Sequence, residues 1–99
     1  MTINVKRDFE LVILEISGRM DSKTAPNAEK IISELSEDIK ELVFDMSGVE
    51  YISSAGIGVL VGAYRKMISN KGTMRIENAD ETVSEVFEIA GLSLMLEQE

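Results

Sequence analysis

Ile3 and Val5 alternate with polar neighbours, and Leu11 to Leu14 with Ile16 make a denser apolar run that stops at Ser17-Gly18. Alternation at a period of two marks strands, so two are predicted here. The short link Arg7-Asp8-Phe9-Glu10 makes them an antiparallel hairpin with the first strand at a sheet edge. From Ala25 the period changes. Ala25, Ala28, Ile32 and Leu35 share one face of a helix predicted over about residues 25–37. Thr24 is the expected cap, and Pro26, the only proline, falls in the first turn, where its missing amide costs little. Glu41-Leu42-Val43-Phe44-Asp45-Met46 reads as a central strand, its consecutive apolar residues suiting a sheet covered on both faces. Ser47-Gly48-Val49-Glu50 breaks that pattern. Tyr51 and Ile52 then lead into a helix predicted over about residues 54–69 and closed by Asn70-Lys71-Gly72. Thr73 to Asn78 alternates as a fourth strand. Thr82-Val83-Ser84-Glu85 has capping-box spacing and opens a third helix with a stripe of Val83, Val86, Phe87 and Ala90, ended by Gly91. Leu92, Leu94 and Leu96 alternate in a tail that suits a short extra strand.

Strands alternating with helices define an α/β fold: one domain over residues 1–99, with a mainly parallel sheet of about four to five strands, an antiparallel N-terminal edge and about three main helices. The 99 residues fit one core, and 44% hydrophobic with 28% charged residues supply both a core and a soluble surface. Eighteen acidic against 10 basic side chains give a formal charge of -8, which opposes binding to nucleic-acid backbones and anionic membranes. A basic protein surface is the better electrostatic match. With no Cys and no His, disulfides, thiolate nucleophiles, Cys/His zinc sites and a Ser-His-Asp relay are all excluded. The apolar runs are too short to span a membrane, and the chain opens without a signal-like segment, so a cytoplasmic location is expected.

Two adjacent hydroxyls, Ser53 and Ser54, stand where the loop after Tyr51-Ile52 becomes a helix. Either can cap it by accepting a hydrogen bond from a free amide, and the first turn offers unpaired amides and the positive end of the helix dipole. An anion suits such a place, whether phosphate attached to a hydroxyl or brought by a ligand. The plainer reading is an ordinary serine cap. Further along the same helix, Gly58 and Gly62 lie four apart and each costs about 1 kcal/mol relative to Ala in an exposed interior. With Arg65, Lys66 and Ser69 they form its less apolar side, while Val59, Leu60, Ala63, Tyr64 and Met67 belong to the buried side. Two explanations fit the spacing: a smooth strip for another protein's backbone, or tight packing of the helix on its own sheet.

These residues resemble the STAS family, specifically the bacterial anti-anti-sigma factors, or anti-sigma factor antagonists. Leu42 to Ser47 followed by Tyr51-Ile52-Ser53-Ser54-Ala55-Gly56-Ile57-Gly58-Val59-Leu60 looks like the family's strand, phosphorylation loop and helix. Gly18-Arg19-Met20-Asp21 resembles its Gly-x-x-Asp marker, and Val86 to Leu92 its C-terminal helix and exit. In the family's frequent Asp-Ser-Ser/Thr/Ala-Gly-Leu/Ile-Gly pattern the serine after the Asp takes the phosphate. Aligning on Gly56-Ile57-Gly58 puts Ser54 at the phosphoacceptor, with Ser53, standing where the Asp often is, as second choice. The resemblance implies partner switching. The unmodified protein binds an anti-sigma factor that is also a serine kinase of the histidine-kinase-like ATPase class, and so frees a sigma factor; phosphorylation reverses this and a serine phosphatase resets it. Asp21, Ser22, Lys23, Thr24, Ser53, Gly56, Ile57 and Gly58 would border the docking surface. The chain would be a substrate and switch without turnover, cofactor or metal, and monomeric when free.

Two other functions compete. A STAS scaffold that binds a nucleotide or supports a transporter would use Ser54 only as a cap. A small hydrolase would use Ser53 or Ser54 with a carboxylate or Lys, but no Gly-x-Ser-x-Gly elbow, Walker loop or paired base is evident.

Overall fold

The structure, a computed structural model, describes residues 1–89 and Gly91. Its elements are β1 (Thr2–Asp8), β2 (Leu11–Met20), α1 (Ala25–Ser33), β3 (Glu41–Ile52), α2 (Ser54–Ser69), β4 (Thr73–Glu77) and α3 (Glu81–Ile89). They form a four-stranded sheet in the order β1-β2-β3-β4, antiparallel between β1 and β2 and parallel across the other two pairs. The expected architecture is met. Ala90 and the tail carrying Leu92, Leu94 and Leu96 lie outside the described residues.

The register explains the layering. Val12 sits beside Leu42 and Leu14 beside Phe44, which in turn lies beside Ile76, so these side chains share one face of the sheet. That face joins the buried residues of all three helices in one cluster, with Ala25, Ala28 and Ile32 from α1, Val59, Leu60, Ala63 and Met67 from α2, and Val83 and Phe87 from α3. The opposite face carries the row Ile13, Val43 and Arg75. Among the described residues no helix contributes to it. Charged side chains spread there instead: Lys6 bonds Glu15 at 3.2 Å, while Arg75 bonds Glu41 at 2.8 Å and Glu77 at 2.7 Å. Leu42, Val43 and Phe44 are all buried, as a strand covered on both faces should be, although among the described residues helices supply the cover on one face only.

Both long strands outrun their apolar runs. β2 continues through Gly18 to Met20, and β3 through Ser47-Gly48 to Ile52, because the two pair to the end with register shifts between Glu15 and Ser17 and between Gly18 and Arg19. Gly48 marks the closest approach. A Cβ there would stand 2.7 Å from the Ser17 Cβ, so this glycine is a fitting in the ladder and not a break. The hairpin link is likewise shorter than expected, since Arg7 and Asp8 are in β1 and only Phe9-Glu10 turns.

The helix ends differ in detail. α1 stops at Ser33, short of Glu37: the Ser33 hydroxyl bonds the Lys30 carbonyl at 2.7 Å, and the Glu34 amide is shared between the Lys30 and Ile31 carbonyls, tightening the last turn. α3 is capped by Asp80, whose carboxylate accepts the Val83 amide at 2.9 Å, and not by Thr82. At the C-terminus of α2, Lys71 rather than glycine takes the left-handed φ of 61°. Gly72 is required for space, because a Cβ would collide with the Lys40 carbonyl oxygen. Asn70, the buried polar residue here, donates to the carbonyls of Ser36 and Ile39 at 3.2 and 3.1 Å and ties this corner to the chain entering β3.

Candidate functional site

The parallel strands β2 and β3 end together, and everything predicted as functional gathers where they stop. Met20 lies beside Ile52 in the register, and the Ser53 amide donates to the Met20 carbonyl at 2.9 Å. This clip brings the 21–24 loop against the start of α2. Gly56 completes the fit: it is buried, and a Cβ would stand 2.7 Å from Ile52 Cγ1 and 2.8 Å from the Met20 oxygen.

The two serines have different duties. Ser53 is the N-cap, with extended φ and ψ of -98° and 178°, and its hydroxyl accepts the Ala55 amide at 3.2 Å. Ser54 is the first helical residue, exposed, and its hydroxyl has no partner among the described residues. The Ile57 amide is bonded to the Ser53 carbonyl at 2.9 Å, which leaves the Ser54 and Gly56 amides without acceptors among the described residues. No acidic residue sits in the first turn. Ser54 thus presents a free hydroxyl beside unbonded amides at a positive dipole end.

Asp21 organises the neighbouring loop. Its carboxylate accepts the Lys23 amide at 3.0 Å and the Thr24 amide at 3.2 Å, with the Thr24 hydroxyl oxygen 3.3 Å away. Partial burial works against its charge, but those donors and the Arg19 guanidinium outweigh it and hold its pKa below the usual value. Thr24 occupies the N-cap position of α1, yet makes no side-chain cap bond. Its hydroxyl donates to the Arg19 carbonyl at 2.7 Å and accepts the Asp21 amide at 2.9 Å, so it closes the loop instead of capping the helix. Ser22 and Lys23 are exposed at the loop's crest. Sequence reasoning missed Arg19 and Tyr51 as a unit: the guanidinium carbon lies 4.2 Å from the Tyr51 ring centre, and Arg19 Nε is 3.7 Å from Asp21. Their pairing follows from the long register of β2 and β3, which the apolar pattern does not show.

Ile57 is half-buried against the core, while Gly58 is exposed. A Cβ added at Gly58 or at Gly62 would meet no atom within 4 Å, so packing of α2 on its own sheet does not explain either glycine. Both border a groove of about 300 Å³ between α1 and α2, floored by Ile32, Val59 and Ala63. Lys66 crosses one end and donates to the Ser33 carbonyl at 3.2 Å. Tyr64, expected on the buried side, is 39% exposed.

The family model of the STAS domain matches residues 2–97, which include the hairpin, both parallel strand pairs and the serine pair at the start of α2. The chain belongs to the STAS domain family. Among relatives, the anti-sigma-B factor antagonist of Bacillus subtilis (strain 168) is 28% identical over 92 residues, spanning 93% of this chain and 84% of its own. The fold is shared with the anti-sigma factor antagonist SpoIIAA in its unphosphorylated form, at a TM-score of 0.88 and 19% identity over 99% of this chain and 88% of that one. SpoIIAA of Bacillus in its phosphorylated form gives a TM-score of 0.81 at 18% identity, over 99% and 91% of the two chains.

Proposed function

We propose that this chain is an anti-sigma factor antagonist acting as a phosphorylation-controlled partner switch in the cytoplasm. Unphosphorylated and monomeric when free, it binds an anti-sigma factor that is also a serine kinase of the histidine-kinase-like ATPase class, and a sigma factor is released. The kinase transfers the γ-phosphoryl group of ATP to Ser54 Oγ; the hydroxyl proton leaves and ADP departs. A serine phosphatase hydrolyses the ester to inorganic phosphate and restores the hydroxyl. Ser53 is the second-choice acceptor. The docking surface is bordered by Asp21, Ser22, Lys23, Thr24, Ser53, Gly56, Ile57 and Gly58.

The observation that carries this reading is the division of labour between the serines. Ser53 is committed to the cap, and Ser54 is exposed with no hydroxyl partner among the described residues. A serine at the cap keeps the bond to Ala55 that an Asp would make there, so the departure from the family pattern leaves the helix start intact. A phosphoserine brings about -1.5 to -2 of charge, and the free amides of the first turn accommodate it without disturbing the core. The partner meets that charge on its own surface, and each 1.4 kcal/mol of lost contact weakens binding by about tenfold.

Phosphosite mass spectrometry on protein from its native cell, with pull-downs of wild type, Ser54→Ala and Ser54→Asp, tests the switch. Phosphate on Ser54, and a kinase partner held by Ser54→Ala but lost by Ser54→Asp, is expected. Absence of phosphate with equal binding by all three forms would leave the scaffold reading in its place.

A further inference from the structure

Arg19 and Tyr51 face each other because the register slips. Gly18 lies beside Val49, so an unbroken ladder would set Arg19 beside Glu50; the shift after Gly18 skips Glu50 and sets it beside Tyr51. Each precedes a residue of the buried core, Met20 or Ile52, and so stands on the face away from the helices. There the guanidinium carbon rests 4.2 Å from the Tyr51 ring centre, over a ring that is 40% exposed. An isolated surface ion pair contributes little. This one belongs to a larger grip. The two oxygens of Asp21 divide their work: Oδ1 accepts the Lys23 and Thr24 amides, and Oδ2 lies 3.7 Å from Arg19 Nε. At the backbone of the same residue, the Arg19 carbonyl takes the Thr24 hydroxyl at 2.7 Å. Arg19 thus holds both ends of the 21–24 loop, and the ring that supports it sits two residues before Ser53.

We infer that Arg19 is a positioning residue of the proposed docking surface: braced on Tyr51, it sets the 21–24 loop against the segment that opens α2. The inference rests on the partner-switch reading for what the surface binds, but not for the bracing itself. The backbone tie from the Ser53 amide to the Met20 carbonyl fixes how close loop and helix lie. The side-chain tie from Tyr51 through Arg19 to Asp21 fixes how the exposed crest, Ser22-Lys23, is turned. A partner that touches both the crest and Ser54 needs the two in one orientation, and a preset orientation spares it the cost of ordering them.

Two readouts need no partner: the Asp21 carboxyl pKa and the hydrogen-exchange rates of the Lys23 and Thr24 amides, both by NMR. Arg19→Ala should raise that pKa, since the guanidinium is among the groups that lower it, and should speed both amides by about threefold to tenfold. Tyr51→Leu removes no charge, yet it should move the pKa the same way and speed the same amides, because the guanidinium loses its rest. Added to Arg19→Ala it should change nothing further. Tyr51→Phe keeps the ring and should match wild type. The third readout is affinity for the kinase retained by Ser54→Ala, expected to fall about threefold to tenfold in Arg19→Ala and Tyr51→Leu alike. An unmoved pKa and unchanged exchange in Tyr51→Leu would overturn the bracing. Weaker kinase binding with both loop readouts unmoved would make Arg19 a direct contact and end its positioning role. Loop readouts that move at undiminished affinity would detach the loop from docking and overturn the inference as well. If wild type binds no such kinase, the switch reading fails, and the Asp21 pKa and the two amides still decide whether Arg19 sets the loop.

Discussion

Replacing Gly58 and Gly62 by alanine separates what α2 needs for folding from what its outer face offers. Both lie in the interior of a 16-residue helix, and a Cβ at either meets nothing within 4 Å. With no steric cost, the substitution returns the helix propensity that glycine forfeits, about 0.8–1 kcal/mol at each position and about 2 kcal/mol for the pair. In a domain of this size about 1 kcal/mol moves Tm by about 4 °C, so Gly58→Ala/Gly62→Ala should melt about 8 °C higher. Gly56→Ala is the control with the opposite sign. Its Cβ would stand 2.7 Å from Ile52 Cγ1 and 2.8 Å from the Met20 oxygen, and overpacking of this kind costs about 1–3 kcal/mol. Urea titration and calorimetry read both effects. Under the proposed switch, binding of the anti-sigma kinase by the double variant should fall about tenfold or more, because two methyl groups would stand where the partner's backbone approaches. A lower Tm for either single variant would refute the claim that the face is unpacked. A higher Tm with undiminished binding would refute the claim that the glycines serve a partner.

Two further outcomes follow from the site itself. Ser53→Ala should cost about 1 kcal/mol in urea unfolding through loss of the cap bond to Ala55, whereas Ser54→Ala should change stability by less than about 0.5 kcal/mol; equal losses would undo the assignment of roles. Acid titration of stability should report Asp21 and Asp45. Donors from Lys23 and Thr24 hold the first below its ordinary 3.8, and those from Asn78 and Ser47 the second. A lowered folded value means that the contribution is complete above 3.8 and is lost as pH falls through the folded values. Asp21→Asn and Asp45→Asn should each flatten the acid limb of the urea midpoint measured from pH 5 downward, and an unchanged limb would contradict the assigned donors.

The sequence made the scaffold readable wherever one period governed a segment. The hairpin, the buried stripes of α1 and α3 and the span of α2 follow from apolar spacing, and Ser53-Ser54 stood out because capping residues before an apolar helix have a local cause. What it concealed depends on contacts between distant residues. Gly48 reads as a breaker until Ser17 is seen against it, and only then does β3 extend to Ile52. Thr24 has the chemistry of a cap, but the Arg19 carbonyl, five residues back near the end of β2, takes its hydroxyl. Val43 is buried, as its continuous apolar run implies, but the run did not reveal that among the described residues the helices cover only the other face of its strand. Tyr64 fell on the apolar side of a helical wheel, yet it lies at the rim, where an aromatic ring is half in water.

The bond from the Ser53 amide to the Met20 carbonyl has a kinetic meaning. It fastens the proposed acceptor segment to a strand end more than 30 positions earlier in the chain, on backbone already fixed by ladder and helix. A modification at Ser54 therefore meets a surface with no slow rearrangement to complete. Under the proposed switch, the interval between adding the phosphate and losing the partner would be set by how fast the complex dissociates, and the lifetime of each state by the enzymes that write and erase the mark.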